Sequence, residues 1–268
     1  MSNREPKYYI APKESFEATA DAIRAVTGEN GEIEWKSNGF ADVLGNEKRY
    51  TVEDYLNHNI SGEVTTSIMN LPSYSLREQK ITKLIRTTST VKGGMNPSSL
   101  QNCKQLTEII TTNPNGIIWV GANALAGCTS LQYLSRVYDL YGSSVSGCSN
   151  LSIVEFADST DTKGIRGESC FSNCTSLQTI IIRRTDALIL LNNVNVFDGT
   201  PFASGGTGGT IYIPEILYDH LGDGTSLDYQ SATNWSTIHG YGTITWQKIE
   251  GSIYENTYAD GTPVGGAS

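Results

Sequence analysis

Apolar positions along this chain recur in a fixed frame. Aligned on a cysteine, four stretches read SLQNCKQLTEII (99–110), ALAGCTSLQYLS (124–135), SVSGCSNLSIVEF (144–156) and CFSNCTSLQTIII (170–182). Three residues before the cysteine stand Leu100, Leu125, Val145 and Phe171; three after it stand Leu106, Leu131, Leu151 and Leu177. Three further on come Ile109, Leu134, Val154 and Ile180. The aligned cysteines lie 25, 20 and 26 residues apart. A unit this short cannot bury its apolar edge alone, so such units stack as successive turns of a solenoid with one continuous core. Positions after the leucine alternate inward and outward, which predicts a short strand in each turn. Cys103, Cys128, Cys148 and Cys174 then form an interior column of structural thiols, because a thiol is small, apolar and commonly buried.

The frame has irregularities. The second inward strand position holds Phe156 and Ile182 in the later copies but Thr111 and Arg136 in the first two, so RVYDLYGSS (136–144) is expected as a longer or bulged connection. Cys170 falls outside the register, and the pattern assigns it no role.

These units, (F/L/V)-x-(N/G)-C-x-x-L-x-x-(I/L/V), resemble the BspA-like leucine-rich repeats. The resemblance extends over about residues 60–236. It takes in a degenerate first copy around YSLREQKITKLI and a closing copy, VFDGTPFASGGTGGTIYIP (196–214). In the closing copy Thr200 replaces cysteine and IYIP supplies the final strand, with ATNWS (232–236) following. The implied fold is a β-rich repeat solenoid with short helical or irregular connections. A small α/β N-terminal segment and a β-rich C-terminal tail flank it. The expected division is an attachment segment at 1–58, the solenoid at 59–214, and a cap and tail at 215–268.

In the N-terminal segment, KESFEATADAIRAVT (13–27) places Phe16, Ala20, Ile23 and Val26 on one side of an amphipathic helix, from Ser15 as N-cap to Gly28 as stop. EIEWKSNGFADVL (32–44) suggests a strand, a turn and a small helix. This ADAIR…GF-x-D-x-L pattern resembles a short segment found in tail and minor structural proteins of phages of Gram-positive hosts. The tail (237–268) alternates polar and aromatic residues, which predicts one or two strands with ADG as a turn.

Charge narrows the functions open to such a scaffold. A formal charge of −9 and the absence of any basic cluster larger than an adjacent pair such as Arg183–Arg184 speak against nucleic acid. No apolar run approaches the roughly 20 residues of a membrane span, and the N-terminus lacks the apolar region of a secretory signal. Synthesis in a reducing cytosol is therefore expected, with all five cysteines free. The cysteine spacings and the scattered His58, His220 and His239 do not suit zinc, so no metal and no cofactor are expected. No histidine accompanies a cysteine motif, which leaves no nucleophilic thiol. ASGGTGGT (203–210) lacks the Lys-Ser/Thr of a phosphate loop and reads as a flexible loop. Glu155, Asp158, Asp161 and Glu168 are the acids from which a glycoside-cleaving pair would come, though a solvated acidic loop is the plainer reading.

Recognition suits a repeat surface better than catalysis does. The outward strand positions form two columns, Glu108–Tyr133–Ile153–Thr179 and Ile110–Ser135–Glu155–Ile181, with apolar residues where water is expected. Tyr133, Ile153 and Ile181 are accordingly candidate contacts, together with Trp119, Tyr138 and Tyr141 in the connecting segments. Two resemblances together imply a non-enzymatic virion protein of tail, baseplate or fibre. Its partners would be other virion proteins or a host surface glycan or protein, and a homo-oligomer is expected by analogy with fibres. A bacterial surface adhesin binding host matrix or glycan is the alternative, and a glycan-cleaving tail enzyme the third reading.

Overall fold

The computed structural model describes residues 57–66, 68–87, 91–113 and 115–249. The helix expected at 13–27, the elements expected at 32–44 and the ADG turn lie outside them. Among the described residues thirteen strands follow one another: β1 (Ser61–Thr66), β2 (Asn70–Leu71), β3 (Lys80–Arg86), β4 (Lys92–Met95), β5 (Glu108–Thr111), β6 (Ile117–Val120), β7 (Tyr133–Leu140), β8 (Ile153–Phe156), β9 (Gly164–Ile165), β10 (Thr179–Ile182), β11 (Leu190–Leu191), β12 (Gly209–Ile213) and β13 (Ile244–Lys248). All their pairings are parallel and join one coil to the next. The structure is thus the β-rich repeat solenoid that the sequence implies.

Three ladders run along it. One wall consists of β1-β3-β5 and then β7-β8-β10-β12-β13; a second consists of β2, β4, β6, the end of β7, β9 and β11. The third is made of turn segments, each ending just before a cysteine. In these, alternate N–H groups donate to the next coil, as Leu100 does to Ala124 (2.9 Å) and Gly127 to Ser146 (2.8 Å). The residue preceding each column cysteine is left-handed: Asn102 (φ 61°), Gly127 (74°), Gly147 (73°) and Asn173 (61°). That geometry explains the N/G of the motif, since only glycine and asparagine adopt it readily. The core lies between the walls. Leu100, Leu125, Val145, Phe171 and the four leucines after the cysteines are all fully buried, each side chain contributing about 1.5–3 kcal/mol.

The 20-residue coil between Cys128 and Cys148 departs from the rest. Its two strands are fused into β7, whose first half pairs with β8 and whose second half pairs with β6 and β9. The register jumps between Leu134 and Val137, and Arg136 adopts φ 58°. Val137, not Arg136, therefore takes the inward place opposite Phe156. The segment after Leu134 is bulged as expected, but it is a strand rather than a longer connection. No strand ladder joins β5 to β7. In the first coils one strand position of the otherwise apolar core is polar, shared in register by Thr66, Arg86 and Thr111. The Arg86 guanidinium is buried, which lowers its pKa to about 10, and its Nη2 donates to the Met69 carbonyl at 2.7 Å.

β12 ends the closing copy as expected, and one of the strands expected in the tail follows it: β13 pairs with β12 and places Trp246 opposite Ile211. Between them lie α1 (Glu215–Tyr218) and α2 (Trp235–Gly240). Trp235 begins α2 and is buried to 1% exposure. Its Nε1–H donates to the Ile189 carbonyl (3.0 Å), while the Tyr229 hydroxyl accepts the Ile189 N–H (2.9 Å). Tyr229 and Trp246 pack on Trp235 and on each other, and Trp235 packs on Phe197, which stacks on Phe171 at 5.5 Å. The ATNWS segment thus plugs the last turns with aromatic rings.

Candidate functional site

All five cysteines are free and buried. Four form the expected column, each thiol donating to a carbonyl of the preceding coil: Cys103 to Leu76 (2.9 Å), Cys128 to Leu100 (3.2 Å), Cys148 to Leu125 (3.1 Å) and Cys174 to Val145 (3.1 Å). Burial raises every one of these thiols, to about 12 at Cys103 and Cys174, so none is a ready nucleophile. Gln79 and Thr200 continue the column at its two ends, with Gln79 Oε1 accepting the Ile60 N–H at 3.1 Å. No group of three or more potential metal ligands occurs among the described residues.

Cys170 also has a place. It sits one position before Phe171 in its turn, as Ser75, Ser99, Ala124 and Ser144 sit before Leu76, Leu100, Leu125 and Val145. All five are buried. This second column of small residues is where the turn crosses the core. Cys170 donates to the carbonyls of Tyr141 (3.1 Å) and Gly167 (3.2 Å).

The acids of 155–168 are engaged separately. Glu155 is 5% exposed and bonded to both Tyr133 and Arg183. Asp161 pairs with Lys92 at 2.7 Å, while Asp158 and Glu168 are exposed.

The two outward columns of the first wall have the expected register, with Ile153 beside Thr179 and Glu155 beside Ile181. Their candidates are not a free surface, however. Ile181 is 1% and Tyr133 7% exposed, the latter held by its hydroxyl to Glu155; Ile153 is half-buried.

The second wall brings the other candidates together. Register places Trp119 (β6) between Gly94 (β4) and Asp139 (β7) on the outward side. Tyr141 follows β7 and meets Trp119 edge-on, with ring centroids 6.1 Å apart at 78°. Arg166 lies over the Tyr141 ring at 5.3 Å, and its Nη1 donates to Asp139 Oδ2 at 3.2 Å. Burial raises the Asp139 carboxyl, opposed by Arg166, and that same hydrogen bond raises the guanidinium. Tyr138 is half-buried beside this group, its phenol pushed up to about 12 by burial and then by Asp139. Trp119, Tyr138 and Tyr141 therefore converge, whereas Tyr133, Ile153 and Ile181 lie on the other strand wall. Sequence reasoning missed Asp139, Arg166 and Gly94. The available signal was the Gly93–Gly94 doublet, since glycine inside a strand marks a close approach.

Residues 94–199 match the family model described as BspA type leucine rich repeat region, in six copies. A crystal structure of a leucine-rich repeat protein from Bacteroides ovatus ATCC 8483 is similar at 15% identity and a TM-score of 0.38, over 71% of this chain and 36% of that one. The chain thus spans about a third of that protein. No curated protein matches the chain.

Proposed function

We infer from the repeat region at 94–199, which is of the BspA leucine-rich repeat type, that this chain is a non-enzymatic recognition protein presenting one wall of its solenoid to a partner. The observation that carries this reading is the outward cluster of Trp119, Tyr141, Asp139 and Arg166. It combines part-exposed aromatic rings with an ion pair on strands held rigid by the ladders. Rigid strands suit recognition because little ordering cost is left for binding.

The setting we propose is a phage virion, in the tail, baseplate or a fibre, where the surface would serve adhesion or assembly, the chain being a homo-oligomer. The resemblance of the N-terminal segment to phage structural proteins supports it. An antibody against the chain is expected to label particles purified from the strain that encodes it. Unlabelled particles would remove the virion and favour the same surface on a bacterial adhesin. Either setting requires that immobilised full chain retains cells or matrix and that excess free chain displaces them. No retention on any such surface would end the recognition reading.

A further inference from the structure

We infer that the second wall carries a binding site for an uncharged glycan, centred on Trp119 and completed by Tyr141, Asp139 and Arg166. This rests on the recognition reading above and names its ligand class. The pose of the indole carries the argument. A Cβ on Gly94 would fall 2.4–2.5 Å from Nε1, Cδ1 and Cδ2 of Trp119. Near-equal distances to three atoms of the five-membered ring put Gly94 beneath the face of that ring. The indole therefore lies flat on the neighbouring strand, a pose that any side chain at 94 would forbid. Trp119 stands on the outward side of the wall and stays partly exposed. One face rests on backbone, and the other is left for a flat apolar partner.

The surroundings set the size and polarity of that partner. Tyr141 stands edge-on to the indole, so it limits the platform instead of extending it. The rim is polar: the exposed Arg166 guanidinium stands on it, held by Asp139 Oδ2, while Asp139 Oδ1 lies buried and without a hydrogen-bond partner just beneath. Among the described residues the Trp119 Nε1–H also makes no hydrogen bond. A pyranose ring matches this arrangement, with a face of C–H groups for the indole and a rim of hydroxyls for the donors and acceptors. Such a mixture of aromatic floor and few polar groups is the usual make-up of a small-ligand site.

Charge selects among the classes that stack on aromatics. Bases of nucleic acid would bring phosphates to a chain of formal charge −9, whose local guanidinium Asp139 already neutralises. An organic cation on the open face of Trp119 would face the Arg166 guanidinium, already seated over the adjoining Tyr141, and the nearby carboxylate is the one that Arg166 holds. An uncharged sugar needs neither.

The test is affinity electrophoresis of the full chain through gels containing laminarin, dextran, mannan or galactan, with hyaluronan as the anionic comparison. At least one neutral polysaccharide is expected to retard the chain. Trp119→Ala and Gly94→Val are each expected to weaken that retardation by about tenfold or more, the size of one aromatic contact. Leu190→Ala, on the same wall, should leave it unchanged. Circular dichroism reports folding; should Trp119→Ala unfold, Trp119→Phe is expected to remain folded and bind more weakly. The inference is overturned if no neutral polysaccharide retards the chain, if folded Trp119 variants bind as the parent does, or if hyaluronan is preferred. Retention of cells or matrix without any polysaccharide binding would leave the recognition reading standing and remove the glycan.

Discussion

Glu78 takes a left-handed conformation (φ 62°) at the position that Asn102, Gly127, Gly147, Asn173 and Gly199 hold in later coils. A non-glycine residue there costs about 1–2 kcal/mol, less for asparagine. Glu78→Gly is therefore expected to raise stability by about 1 kcal/mol, seen as a higher urea midpoint with an unchanged slope. Gly127→Ala should do the reverse and more, because its Cβ would lie 2.3 Å from Asn102 Oδ1. The thiols make a second residue-scale prediction. Burial holds Cys103 and Cys174 at about 12 and Cys170 at about 11, against 9.0 for a free thiol. The folded chain keeps protons that the unfolded chain releases, so this contribution is complete below pH 9 and disappears as pH rises through 11 to 12. Urea midpoints are expected to fall between about pH 8 and about pH 10.5, and Ellman's reagent should reach the thiols only after denaturation. The four-cysteine column was legible because identical spacing repeats it. Cys170 was not, since its column is occupied by serine and alanine elsewhere, and what those residues share is small volume rather than chemistry.

Among the elements, the C-terminal plug joins two walls through one residue, Ile189, bonded by both Trp235 and Tyr229. Trp235→Ala removes a 1%-exposed indole and orphans a carbonyl, a loss of about 3–5 kcal/mol. Its effect is expected first at β12 and β10, measured as faster amide exchange there than at β6. The strand positions of these elements were readable from the alternation after each leucine. The fusion of β7 was not: Arg136 at an inward position announced an irregular connection, but RVYDL satisfies a strand's alternation only after Arg136 is looped out, so the run of one strand through the bulge to Leu140 stayed hidden. β13 was legible as a strand from the alternation of the tail, but its partner was not. Its Trp246 reads as one aromatic among several in the tail until its register with Ile211 is known.

At the scale of the molecule, the strand and turn ladders join each coil to its neighbours, and the Lys92–Asp161 pair alone among the described ion pairs reaches past them, so stability is expected to be close to a sum of coil terms and interface terms. Amide protection should be greatest in β8 and β10, in mid-stack, and fall toward β1 and β13. A flat exchange profile would contradict this. Every coil also donates to both neighbours in a repeating pattern: turn N–H groups to the following coil, thiols to the preceding one. Two cut faces made among the regular coils, away from the bulged β7, therefore remain complementary. Whole coils can be excised or duplicated without inventing a new joint, each adding about 4.8 Å, the spacing of paired strands. The stack is a ruler graduated in coils, and the height of Trp119 above the aromatic plug can be reset by counting.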